Sequence, residues 1–122
     1  MVTFVCIRCD QRLTEDLVEV PLPPAVDEEL RGPQGFLPAR MPRGTFSIAP
    51  ELGGFLLCPD DITGVDLHPD SRRRNGCCGL DGLDGPNLIC AGCGAEVATK
   101  QSDCWSQRQV TLPPAAVRPW ST

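Results

Sequence analysis

Val2-Thr3-Phe4-Val5-Cys6-Ile7-Arg8-Cys9-Asp10 decides how this chain is read, together with its counterpart Asn87-Leu88-Ile89-Cys90-Ala91-Gly92-Cys93-Gly94. In each, an apolar run of strand character leads into Cys-x-x-Cys. Two cysteines three apart can point to one metal ion when the chain turns sharply between them, and the amides of that turn hydrogen-bond the sulfurs. The turn must close on a residue that tolerates a left-handed conformation. Gly94 follows Cys93 and supplies it, and Asp10 supplies it after Cys9. Each knuckle brings two sulfurs, so Cys6, Cys9, Cys90 and Cys93 together make one tetrahedral four-cysteine site. The alternative mates each knuckle separately with Cys58, His68, Cys77, Cys78 or Cys104. A thioredoxin-like Cys-x-x-Cys would open a helix among alternating strands and helices, and neither motif here stands in that context.

Composition points the same way. The chain has 122 residues, one domain's worth, and Val, Ile, Leu and Phe make up only about a quarter of it. Twelve glycines and thirteen prolines argue against a helix bundle or a doubly wound sheet. A core this thin needs a cross-link, and eight cysteines offer one. The start Met1 to Cys6 has neither the basic residues nor the apolar stretch of a secretory signal, and the longest apolar run, Phe55-Leu56-Leu57-Cys58, is too short to span a bilayer. The expected setting is therefore the reducing cytoplasm, with no membrane, and there thiolates at short spacing favour zinc over disulfides. With 16 acidic against 11 basic side chains and a net charge of -5, the chain lacks the electropositive footprint of a nucleic-acid binder.

The rest of the chain reads as short strands and turns. Val2 to Ile7 is a strand, and Leu17-Val18-Glu19-Val20 is expected to return beside it. Pro23-Pro24 breaks the chain, and residues 25–31 are expected to form one or two helical turns closed by Gly32-Pro33. Between Phe36 and Leu57, apolar pieces separated by Pro38, Pro42 and Pro50 suit short edge strands. Residues 59–86 are polar and Gly-rich, a long loop or irregular hairpin. Strand signals return at Asn87 to Cys90, Glu96 to Thr99 and Gln107 to Leu112. The predicted fold is mainly β, small antiparallel sheets clamped by zinc, with few or no long helices. Residues 1–112 form that domain, and 113–122 an extended Pro-rich tail packed by Val117 and Trp120.

A strand into Cys6-x-x-Cys9, a β-rich middle from Gly35 to Ile48, and strand-Cys90-x-x-Cys93-strand running past Trp105 into Gln107 to Leu112 resembles the β-tent proteins. These include Yippee-like proteins, the cereblon thalidomide-binding domain and methionine sulfoxide reductase B. The resemblance covers most of the chain in the order of elements, and only the two knuckles in motif. It implies that the distant knuckles clamp one zinc, from which two antiparallel sheets spread. The chain departs from the reductases at Gly94-Ala95-Glu96-Val97, where they carry a His-Leu-Gly-His-like stretch. It also lacks the several tryptophans of a cereblon-like aromatic cage.

The sulfur left over is Cys58, Cys77, Cys78 and Cys104, with His68 the sole histidine. Cys58, His68, one of the vicinal pair and Cys104 suffice in number and type for a second zinc site. In a strand Cys77 and Cys78 would face opposite sides, so only one could bind unless a turn rotates them. The competing reading makes the cysteines small buried apolar residues and His68 a loop cap. Arg72-Arg73-Arg74 reads as a solvated loop, Asp81 and Asp84 as turn residues rather than a calcium loop, and Trp105 as core. Two functional classes follow: a zinc-stabilised module that binds a protein or a small ligand, and a thiol-dependent redox enzyme using Cys104. A single histidine, no HExxH, no nucleophile elbow and no phosphate loop weigh against the enzyme.

Overall fold

The β-branched run after Met1 forms β1 (Val2–Cys6), four of whose five residues are buried. Its partner is β9 (Val117–Ser121), antiparallel along the whole length from Val2 opposite Ser121 to Cys6 opposite Val117. These two make one sheet in a computed structural model that describes residues 1–104 and 106–121. The second sheet has seven strands: β2 (Val18–Glu19), β3 (Thr45–Ala49), β4 (Gly54–Leu57), β5 (Val65–Leu67), β6 (Leu88–Cys90), β7 (Glu96–Gln101) and β8 (Gln109–Leu112). Their spatial order is β2-β3-β4-β8-β7-β6-β5, and all neighbours are antiparallel except β2 and β3. The helical elements among the described residues are single 3-10 turns of three residues, so the fold is mainly β, as predicted. No helix among these residues is long and apolar enough to cross a membrane.

Side-chain alternation places the core between the two sheets. Phe4 and Val117 from the first sheet meet Phe46, Leu57, Leu88, Val97, Val110 and Leu112 from the second. Phe4 is fully buried, with its ring 5.1 Å from that of Phe46, edge-on, and 4.6 Å from that of Phe55. Leu57 faces this core, whereas Leu56 and Cys58 turn to the opposite side of the strand and bury in a smaller cluster with Met41 and Ala49. The buried amide of Asn87 exchanges two hydrogen bonds with the Lys100 backbone, at 2.7 and 2.9 Å, and so fixes the entry of β6 toward Cys90.

Three expectations change. Leu17 bridges Val2, but Val18 and Glu19 leave β1 and run parallel to β3, because the buried Leu17 is the last residue that the core holds there. The segment read as a Pro-rich tail ends in a full strand: Pro113 to Ala116 makes a turn, closed by the Ala116 N–H on the Pro113 carbonyl, that returns the chain to β1. Pro119 is tolerated because β9 is a sheet edge, where a missing N–H faces no partner. The loop of 59–86 also contributes β5, three residues long, to the edge beyond β6.

Candidate metal centre

The first knuckle continues β1 and the second continues β6, so each sheet delivers one. Their backbones match. The Cys6 N–H donates to the Gln11 carbonyl (2.9 Å) and the Cys90 N–H to that of Ala95 (2.8 Å). The Asp10 N–H returns to the Cys6 carbonyl (2.9 Å) and the Gly94 N–H to that of Cys90 (2.8 Å). Both turns close through the left-handed residue expected from the sequence, with φ of 61° at Asp10 and 79° at Gly94. Asp10 is further held by an ion pair with Arg118 of β9.

The two hairpins interleave their sulfurs. The Sγ atoms of Cys6 and Cys93 lie 3.7 Å apart, those of Cys9 and Cys90 3.5 Å apart, and all four lie within 4.8 Å of one another. Cys6 and Cys90 are buried, Cys9 and Cys93 exposed. A tetrahedral ion with metal–sulfur bonds of ~2.3 Å sets its ligands ~3.8 Å apart, and the distances of 3.7 and 3.5 Å lie close to that value. The four residues thus fit a metal ion. The Gly92 N–H donates to the Cys90 sulfur at 3.3 Å, and a Cβ at Gly92 would come within 3.1 Å of the Cys9 sulfur.

Electrostatics sort the thiols. Burial pushes Cys6 up, but N–H donors from Arg8 and Cys9 and the thiols of Cys93 and Cys90 outweigh it and leave Cys6 below its ordinary value. At Cys9 the Gln11 N–H acts downward, yet desolvation and the thiols of Cys90, Cys93 and Cys6 push it up to about 12. Four sulfurs this close cannot all ionise unless a cation joins them.

A second thiol cluster brings together Cys77, Cys78 and Cys104. Cys78 and Cys104 have their sulfurs 3.0 Å apart. One carboxylate organises all three backbones: Asp103, itself buried, accepts the N–H of Cys77 (3.2 Å), Cys78 (2.8 Å) and Cys104 (2.8 Å). The Cys78 N–H and then its fellows hold the Asp103 carboxyl below the usual carboxylate range despite desolvation. The thiol of Cys78 is pushed up to about 12 by Cys104 and Cys77. Sequence reasoning passed over Asp103, which carries no motif.

The second site drawn from the sequence is corrected in two ligands. Cys58 stands two residues after Leu56 on the same face of the chain, so it buries in the small apolar cluster, and burial raises its thiol. His68 is occupied at both ring nitrogens: Nδ1 accepts the Asp70 N–H (3.0 Å) and Nε2 meets Glu96 at 2.8 Å. It holds the loop after β5 against β7, as the loop-cap reading expects. Cys77 and Cys78 both reach the cluster because they lie in a bend, not a strand, so the alternation that would separate them does not apply.

The remaining motifs are structural. Arg72 pairs with Asp70 in its own loop, and Arg73 with Glu96 of β7 and the Pro86 carbonyl, so two of the three arginines are engaged within the fold. Asp81 accepts the Leu83 N–H and Asp84 the Asn75 amide, which are turn contacts. Trp105, read as core, lies outside the described residues. Compared with protein-family models, curated proteins and solved structures, the chain matches none.

Proposed function

We propose that Cys6, Cys9, Cys90 and Cys93 bind one zinc ion as a structural clasp, and that the chain is a β-tent-like module of the reducing cytoplasm that binds a protein or a small ligand. The observation that carries the clasp is the pair of cross-knuckle sulfur distances, 3.7 and 3.5 Å, close to the ligand spacing of a tetrahedral thiolate site. Four thiolates with no free coordination position suit a structural zinc. A knuckle from each of two sheets supports the β-tent resemblance. The module reading is supported by a groove of about 590 Å³ that both knuckles border, through Ile7, Arg8, Gly94 and Ala95, with Ala115 and Ala116 beside them.

Zinc held this way contributes directly to folding, with binding free energies on the order of 10 kcal/mol in small zinc domains. Protein purified under reducing conditions is expected to carry zinc, and a strong chelator to lower its melting temperature. Unchanged melting after verified zinc removal would overturn the clasp. The redox-enzyme reading draws on the 3.0 Å contact between Cys104 and Cys78. A methionine sulfoxide assay separates the two classes: the module turns over nothing, whereas the enzyme shows activity that Cys104→Ser abolishes.

A further inference from the structure

We propose that Cys77, Cys78 and Cys104 form a second metal site of a different kind, an open three-sulfur site for an exchangeable thiophilic ion such as zinc. The proposal goes beyond the clasp and does not depend on it. Three observations carry it. The sulfurs lie within 4.8 Å of one another and those of Cys78 and Cys104 are 3.0 Å apart, a range that contains the ~3.8 Å that bonds of ~2.3 Å to one ion require. The site is built in advance, since the buried Asp103 carboxylate ties the N–H groups of all three cysteines to one point. The bend is also packed too tightly for any residue but glycine at its two ends. A Cβ at Gly76 would fall 1.7 Å from the Gly79 carbonyl oxygen, and one at Gly79 would fall 2.6 Å from that of Ser102.

Position gives the site its character. Cys77 and Cys78 are exposed and Cys104 is half-buried, so solvent reaches any ion they hold. Three protein sulfurs leave a fourth position of a tetrahedral ion to water or an incoming ligand. Loading converts three thiols to thiolates and releases three protons to solvent. The cluster joins the bend of Gly76 to Gly79 to the segment after β7 and belongs to neither apolar cluster, so the packed core does not rest on its ion. Such a site takes up and passes on a soft ion, whereas the clasp keeps one.

The test is native mass spectrometry of the full chain, reduced, loaded with zinc and freed of excess, with all eight thiols counted after denaturation. Wild type is expected to carry two ions, and a variant with Cys77→Ser, Cys78→Ser and Cys104→Ser to carry one. A weak chelator should strip one ion from wild type first, with the melting temperature unchanged. Cys77→Ser alone, at an exposed position, should weaken the second ion at least ~10-fold and leave the other untouched. One ion in fully reduced wild type that the triple variant retains would overturn the proposal, as would a Cys78–Cys104 disulfide in place of the second ion. One ion in wild type and none in the triple variant would leave this site standing and reject the clasp.

Discussion

Asp70 uses one carboxylate twice. Its Oδ1 accepts the Arg72 N–H at 3.0 Å, capping the short turn Ser71–Arg73, and its Oδ2 meets the Arg72 guanidinium at 2.9 Å. The Arg72 side chain, and then its backbone N–H, hold this carboxyl at about 2. An NMR titration of the side chain should find its midpoint near pH 2, and Arg72→Ala should raise it toward the ordinary ~3.9 without reaching it, because the backbone N–H of residue 72 remains. The folded value is depressed, so the contribution to stability is complete above the ordinary value and is lost as the pH falls through about 2. A wild-type midpoint near 3.9 would contradict the assigned contacts. At this scale the sequence was informative where chemistry is local. Asp10 and Gly94 were legible because a knuckle needs a left-handed residue at one fixed offset. Cys58 and His68 stayed open between ligand and structural readings, since residue type says only that they can ligate, while packing against Met41 and Ala49 and the Glu96 partnership are set by distant chain.

The hairpin of β3 and β4 turns on Gly53 and Gly54, both at positive φ, and Gly54 pairs with Ala49 at its base. A Cβ on Gly54 would lie 2.1 Å from the Leu112 carbonyl oxygen of β8, so only glycine allows β4 and β8 to pair there. Gly44, also at positive φ, has open space around it. Gly44→Ala should therefore cost only the backbone strain, about 1 kcal/mol, and Gly54→Ala at least about 2 kcal/mol more. Denaturant unfolding of both variants checks this, and equal losses would contradict the packing. Element type was largely readable, because glycine and proline mark where short strands must stop. Pairing was not: Val117 to Ser121 contains Pro119, which reads as a tail until an unpaired edge of β1 is there to receive it. The three residues of β5 are too short to show alternation.

For the molecule as a whole, the candidate centre stands where the sheet of β1 and β9 meets the seven-stranded sheet, with one knuckle from each. The Phe4, Phe46 and Phe55 cluster joins the same two sheets through apolar contact, so core and clasp act on one interface. Overall charge bears on partners: at net -5, with Arg72 and Arg73 already paired, duplex DNA should bind no tighter than weak non-specific association at physiological salt. A fluorescence anisotropy titration showing sub-micromolar, salt-sensitive affinity would contradict this. The central claim is that both knuckles hold one ion, and the most direct measurement is a crystal structure phased at the zinc absorption edge. The account predicts one zinc peak bonded at ~2.3 Å to the sulfurs of Cys6, Cys9, Cys90 and Cys93. Cys6 and Cys90 bound to two different ions, or a Cys6–Cys9 disulfide with no metal at the centre, would contradict it.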